Sequence, residues 1–226
     1  MRTCAYRLAC LLVLAVTMLS GPVLRADIYS TKAYDNGTIW TVGPRAGNNG
    51  KNFFDIEGSN NGNFAAFGVA DFASTHFRNA DHQPIGQISQ INSISLSLTQ
   101  DDAAFTNDGK INIYLTRQVI TSIDPDPTDI ETTFDMNDAN GEGLNGQFAP
   151  LVLIGTGTFT QASNGQVDTF ALSLDADTQA YLISVINGLG NFRIIVTPAD
   201  PNVAATYAGF SDQNGFIGPV FNLDAN

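Results

Sequence analysis

Cysteine is missing from nearly the whole chain. The 226 residues include two cysteines, Cys4 and Cys10, and both lie within the first 26 residues. Residues 27–226 therefore offer no disulfide, no zinc site built on cysteine and no cysteine nucleophile. A segment of this length buries enough of its surface to form a core without covalent crosslinks, and we expect it to fold as one domain.

Basic residues are scarce as well. The chain has 10 lysines and arginines against 22 aspartates and glutamates. Arg2, Arg7 and Arg25 fall within the first 26 residues, where no acidic residue occurs, so residues 27–226 carry 7 basic and 22 acidic side chains. Nucleic-acid binding depends on basic side chains that neutralise phosphates. This composition excludes a nucleic-acid partner.

The N-terminus has the features of a cleaved secretory signal peptide. Two arginines precede an apolar run over residues 8–19, and the small residue Ala26 stands before Asp27. The apolar run is shorter than the roughly 20 residues that a membrane-spanning helix needs. We therefore predict a signal peptide over residues 1–26. Residues 27–226 are expected to be secreted to the extracellular space, with the cell surface or the periplasm as alternatives, and not to insert into a membrane.

Apolar and polar residues alternate with a period of two along most of the chain. The pattern is clearest in residues 93–99, where Ile94, Leu96 and Leu98 alternate with hydroxyl side chains. Such alternation is typical of strands that bury one face of an antiparallel sheet. It predicts about ten strands, at residues 38–42, 53–57, 64–72, 93–99, 111–115, 150–160, 170–174, 192–196, 204–210 and 219–223.

One segment departs from this period. Residues 175–187 begin with acidic residues, place Leu182, Ile183 and Ile186 at helical spacing, and are followed by Gly188. Glycine is common directly after a helix, so the pattern predicts one short helix that ends before Gly188. The sequence as a whole predicts an all-β fold, a sandwich or barrel of antiparallel strands with one short helix.

Residues 123–146 are predicted to form a long loop rich in Asp, Pro, Asn and Gly. Calcium takes six to eight oxygen ligands from carboxylates, amides and carbonyls. The loop offers such ligands at close spacing: Asp135, Asn137, Asp138, Asn140 and Glu142. The spacing does not match an EF-hand loop, because no glycine or bidentate glutamate falls at the required position. Two interpretations stay open, a calcium site and a solvated turn.

Four aromatic residues are the candidate ligand-binding residues: Tyr34, Trp40, Tyr114 and Tyr207. Aromatic faces bind sugar rings through apolar contact while their polar rims stay hydrated. Tyr114 lies on the polar side of its strand and is expected to be exposed. Trp40 lies between Thr38 and Thr41, which favours a position in the core. Five phenylalanines are also expected to pack in the core or against a sheet: Phe53, Phe54, Phe64, Phe67 and Phe72.

No catalytic motif is recognisable in the sequence. It contains no Gly-x-Ser-x-Gly nucleophile elbow, no His-Glu-x-x-His zinc helix and no phosphate-binding loop. Two carboxylates that are distant in sequence would suffice for a glycosidase, and 22 acidic residues are present. We therefore expect a protein that is not an enzyme and keep a polysaccharide-active enzyme as the alternative.

Several segments resemble known secreted proteins. Residues 52–72, which read NFFDIEGSNNGNFAAFGVADF, resemble bacterial proteins of the PEP-CTERM-sorted kind. Residues 192–198, 204–210 and 218–221 are similar to the closing strands of DNRLRE-type modules. The resemblance implies a jelly-roll-like antiparallel β-sandwich, related in shape to carbohydrate-binding modules. The Pro-Glu-Pro sorting tail of the first group and the six-residue string that names the second do not occur in this sequence.

These observations lead to one expected function and two alternatives. We expect a secreted, non-catalytic β-sandwich that binds glycans or forms part of an extracellular matrix or surface. The alternatives are a polysaccharide-active enzyme and a calcium-dependent adhesion or self-assembly module. The expected partner is an extracellular polysaccharide or matrix component, and calcium is the one candidate cofactor.

Overall fold

The computed structural model describes residues 27–40, 43–45, 48–101, 106–117 and 151–226. These ranges contain thirteen strands, β1 (Asp27–Lys32), β2 (Asp35–Trp40), β3 (Gly43–Pro44), β4 (Phe53–Glu57), β5 (Ala66–Ala73), β6 (Arg78–Asn79), β7 (Ile91–Thr99), β8 (Gly109–Thr116), β9 (Leu151–Phe159), β10 (Val167–Leu172), β11 (Asn191–Pro198), β12 (Ala204–Ala208) and β13 (Val220–Ala225). Helices are formed by Asn48–Asn52 and Ala176–Asn187, and 3-10 turns by Ser59–Phe64 and Ser74–His76.

The strands form two antiparallel sheets. The smaller sheet has the order β10-β7-β13-β1-β6. The larger sheet has the order β12-β4-β5-β11-β8-β9, with β2 also paired to β5 and β3 paired to β2. This arrangement confirms the predicted all-β sandwich.

The main core lies between the two sheets. The predicted alternation in β7 is confirmed, because Ile94, Leu96 and Leu98 are all buried in this core. Phenylalanine rings from both sheets meet there: the Phe192 ring centroid is 4.9 Å from that of Phe221 and 5.3 Å from that of Phe72. Aromatic pairs at these separations contribute more than their area burial alone.

The larger sheet is buried on its outer face too. All eight residues of β5 are buried, so this strand does not alternate between buried and wet positions. A second apolar cluster lies on the outer side, formed by Ile39, Ala65, Phe67, Val69, Tyr114 and Ile195. The outer side of the smaller sheet is polar instead: Ser30 donates to Asn222 at 2.8 Å, and Asn222 donates to Ser97 at 3.1 Å.

The predicted helix is confirmed as Ala176–Asn187. Asp175 caps its N-terminus, because the Asp175 carboxylate accepts a hydrogen bond of 2.7 Å from the backbone N–H of Thr178. Leu182 and Ile186 are buried in the main core. No helix in the described ranges has the length and apolar character that crossing a bilayer requires.

Candidate ligand-binding groove

A groove opens beside strands β4 and β12, on the side of β4 that faces away from the main core. Its volume is about 480 Å³, and it is lined by Arg45, Phe53, Asp55, Glu57, Asn61, Phe64 and Thr206. Phe53, Asp55 and Glu57 are alternate residues of β4, whereas Phe54 and Ile56 between them are buried in the main core. The period of two in β4 therefore directs one phenylalanine and two carboxylates to the groove.

The 3-10 segment Ser59–Phe64 forms one wall of the groove. Asn61 ties this wall to the strands, because its amide nitrogen donates to the carbonyl oxygens of Gly58 at 3.0 Å and Val203 at 2.9 Å. Gly62 has a φ of 61°, which glycine adopts without strain. The chain changes direction there and brings Phe64, 61% exposed, to the groove.

Arg45 crosses the other side of the groove and is held by three side chains. Its guanidinium donates to the Asp55 carboxylate at 2.5 Å. The guanidinium carbon lies 5.0 Å from the ring centre of Trp40 and 5.1 Å from that of Phe53. Cation–π contacts and an ion pair to a carboxylate with only 3% of its side chain exposed fix this arginine in one place.

Strand β2 holds β4 in position through buried polar side chains. The backbone N–H of Asp55 donates to the Thr38 hydroxyl at 3.0 Å, and this hydroxyl donates to the Phe53 carbonyl at 3.3 Å. The Asn36 amide also donates to the Phe53 carbonyl, at 3.1 Å. Only Glu57 of β4 pairs with β5, opposite Ala66. Along most of the β4 edge that faces β5, side chains of β2 thus take the place of a backbone ladder, whereas the other edge of β4 pairs with β12 over all five residues.

Glu57 is the groove carboxylate that has no counterion among the described residues. It is half-buried, and none of the described residues forms a hydrogen bond or ion pair with its carboxylate. Burial, and next the negative charge of Asp55, raise the pKa of Glu57 from 4.5 to about 7, against the opposing effect of Arg45. The groove therefore contains a carboxyl group that changes charge near neutral pH.

Trp40 lies behind the exposed Phe64 ring. The two rings meet edge to face with centroids 6.1 Å apart. Trp40 is half-buried, so the predicted core position is only partly correct. The indole Nε1 is buried and has no hydrogen-bond partner among the described residues.

The four aromatic residues predicted as a ligand platform do not come together. Tyr114 is 4% exposed in the outer apolar cluster, so the prediction that it is exposed is wrong. Tyr207 is fully buried, and its hydroxyl donates to Asp168 at 3.0 Å. Tyr34 is half-buried and contacts His76 edge to face rather than any groove residue. Trp40 alone lies beside the groove, through Arg45 and Phe64.

The predicted calcium ligands Asp135, Asn137, Asp138, Asn140 and Glu142 lie outside the described residues. Within the described ranges, no three His, Cys, Asp or Glu side chains are grouped so that they would hold a metal ion. The calcium site therefore stays a prediction.

Sequence reasoning missed most of the groove. Phe53 and Phe64 were expected to pack in the core or against a sheet, like Phe54, Phe67 and Phe72, but Phe53 and Phe64 line the groove. One signal was available: Asp55 and Glu57 stand at alternate positions of a predicted strand, where two carboxylates on one face are unusual for a buried sheet. No local pattern pointed to Arg45 or Asn61, whose roles depend on contacts made only in the fold.

Comparison with protein-family models and with curated proteins gives no relative. No family model matches the chain, and no curated protein matches it. The resemblance to PEP-CTERM-sorted and DNRLRE-type proteins therefore stays a prediction.

Proposed function

We propose that this protein is an exported, non-catalytic glycan-binding domain whose ligand lies in the groove beside β4. One observation carries the proposal: an exposed aromatic ring, Phe64, stands next to polar side chains at a groove of about 480 Å³. Small-molecule sites have volumes of about 300–1,000 Å³ and combine apolar walls with a few polar groups. Export is supported by the signal-peptide features of residues 1–26.

Sugar rings fit the chemistry of this groove. A pyranose ring has an apolar face, which packs on an aromatic ring, and a rim of hydroxyls. Phe64 offers the aromatic surface. On the floor of the groove, which β4 and β12 form, the Glu57 carboxylate offers a hydrogen-bond acceptor and Thr206 offers a hydroxyl. Arg45 and Asp55 are already bound to each other, so the floor is set before a ligand arrives. A preorganised floor lowers the entropy cost of binding.

A glycan array followed by isothermal titration calorimetry tests the proposal, with the protein expressed from its full sequence. We expect binding to at least one oligosaccharide, and about tenfold weaker binding of the Phe64→Ala variant, equivalent to about 1.4 kcal/mol. Phe210→Ala is the control, because Phe210 is 37% exposed but does not line the groove. Binding to no glycan, or equal loss in both variants, would overturn the proposal.

A hydrolase is the second candidate, and Glu57 is the observation that favours it. A general acid needs a pKa near the working pH, and the pKa of Glu57 is about 7. Asp55 and Glu57 stand on one face of β4, so the groove contains the two carboxyl groups that a glycosidase needs. Against it, Asp55 is bound to Arg45 and almost fully buried, which is unsuitable for activating a water molecule. Release of reducing ends by the wild type, lost in Glu57→Gln, would favour the hydrolase.

A further inference from the structure

The charges of the groove are not balanced. Arg45 and Asp55 neutralise each other through their ion pair. Glu57, once ionised, adds a negative charge that no described residue pairs with. A half-buried carboxylate without a counterion is unfavourable, and a ligand that supplies a cation relieves this cost.

We propose that the groove selects glycans with a free amino group, a hexosamine unit without its acetyl group, and that the Glu57 carboxylate binds the ammonium. This inference rests on the proposed glycan-binding function. The ammonium would form charge-assisted hydrogen bonds to Glu57, which are about twice as strong as bonds between neutral groups. The sugar carrying it would pack against Phe64.

Anionic and neutral sugars satisfy the groove less well. A uronic acid would bring a third carboxylate next to Asp55 and Glu57, and Arg45 is already occupied by Asp55. A neutral hydroxyl would solvate Glu57 without neutralising it. The exposed ring of Phe64 favours a cation as well, since the faces of such rings attract ammonium groups.

The charge of the whole chain acts in the same direction. Residues 27–226 carry 22 acidic and 7 basic side chains. A strongly negative protein attracts a polycation over long distances and raises its rate of association. This attraction is not specific to the groove, so the test must separate it from the contribution of Glu57.

Titration calorimetry at pH 6.5 with two tetrasaccharides, fully deacetylated chitotetraose and fully N-acetylated chitotetraose, provides the test. We expect the wild-type protein to bind the deacetylated form about tenfold more tightly. Glu57→Gln should remove this preference, so that the two forms bind with similar affinity. Asp81→Asn, which removes one exposed carboxylate away from the groove, should keep the preference.

Proton release is the second readout. Because the ammonium favours ionised Glu57, binding at pH 5.5, where the sugar amine and most of Glu57 are both protonated beforehand, should release protons from wild type, more than from Glu57→Gln, when heats are compared in buffers of different ionisation enthalpy. Equal affinity for both tetrasaccharides would overturn the amine selectivity and leave the proposed function standing. If Asp81→Asn lost the preference as fully as Glu57→Gln does, the preference would come from general charge attraction. That result would also overturn the inference. If neither tetrasaccharide nor any other glycan bound to the protein, the proposed function itself would be overturned.

Discussion

Arg193 and Asp71 form a buried, bidentate ion pair across neighbouring strands of the larger sheet. Arg193 Nε donates to Asp71 Oδ1 at 2.7 Å, and a terminal guanidinium nitrogen donates to Oδ2 at 3.0 Å. The side chains are 7% and 0% exposed, and the two residues stand opposite each other in the register of β11 and β5. Burial raises the pKa of Asp71 although Arg193 opposes this, so the carboxylate depends on its partner for its charge.

We expect Arg193→Met to lower the free energy of unfolding by about 3–5 kcal/mol, because Asp71 then stays buried without a partner. Urea denaturation at pH 7 measures the change. Lys110→Met is the control, since Lys110 is exposed on the neighbouring strand β8 and should change stability by less than about 0.5 kcal/mol. The double variant Asp71→Leu/Arg193→Met should lose less than Arg193→Met alone. A loss of under about 1 kcal/mol in Arg193→Met would contradict this account.

Glu57 makes stability depend on pH in a predictable direction. Its pKa is 4.5 ordinarily and about 7 in the fold, so the folded chain binds the proton more tightly than the unfolded chain does. The stability that this proton contributes is fully present below pH 4.5 and is lost as pH rises through about 7. The loss should be on the order of 2 kcal/mol, less than the full shift implies because Glu57 is only half-buried.

Urea denaturation of the wild type and Glu57→Gln across this pH range isolates the effect from the other carboxylates. We expect the stability of the wild type relative to the variant to fall between pH 4.5 and pH 8, because glutamine has no proton to lose. Asp81→Asn should run parallel to the wild type, since Asp81 is exposed. A difference between wild type and Glu57→Gln that stays constant with pH would show that Glu57 does not titrate in this way.

The strands and the helix were accessible from sequence because their signals are local. Phe53–Glu57 was predicted with its observed bounds, and the helix was predicted to end before Gly188 as it does. The exposure of side chains was harder to predict from the sequence, and Tyr114 shows why. The period of two tells which residues share a side of a strand, but not whether that side is covered. The outer side of the larger sheet is covered at Tyr114, so a residue on the polar side of its strand is buried.

The groove depends on contacts between segments that no periodic pattern links. Arg45, directly after β3, pairs with Asp55 of β4, and Trp40 at the end of β2 contacts Phe64, which follows the turn at Gly62. The threonines at positions 38 and 41 favoured a core position for Trp40, yet at the end of β2 this residue is half-buried. Local sequence could therefore predict the strand that forms the floor, but not the walls that make it a groove.

Gly68 and Phe54 approach each other closely beneath the groove. A Cβ atom at Gly68 would lie 2.5 Å from Cζ of the fully buried Phe54 ring. Gly68→Ala should therefore cost about 1–3 kcal/mol through overpacking, measured by urea denaturation. Gly86→Ala is the control, because nothing lies within 4 Å of a Cβ there. The double variant Phe54→Leu/Gly68→Ala should lose less free energy of unfolding than the sum of the losses in the two single variants. Strictly additive losses would show that the two sites do not interact.

Asn36 joins three segments that surround the groove floor. Its amide nitrogen donates to the Phe53 carbonyl at 3.1 Å, and its amide oxygen accepts from the backbone N–H of Phe210 at 2.6 Å. Asn36 is 1% exposed, so water does not replace these bonds when the side chain is shortened. We expect Asn36→Ala to lower the free energy of unfolding by about 2–4 kcal/mol, because buried polar groups lose their partner.

Asn63→Ala is the matched control for Asn36→Ala, since Asn63 is exposed and should change stability by less than about 0.5 kcal/mol. The Asn36 variant should also weaken glycan binding while it is still folded, because Asn36 positions the β4 backbone that carries Phe53 and Asp55. Calorimetry well below the midpoint of unfolding separates this effect from loss of folded protein. Unchanged affinity in a destabilised but folded variant would show that the floor keeps its shape without Asn36, and that Thr38 and the pairing with β12 are enough to hold β4.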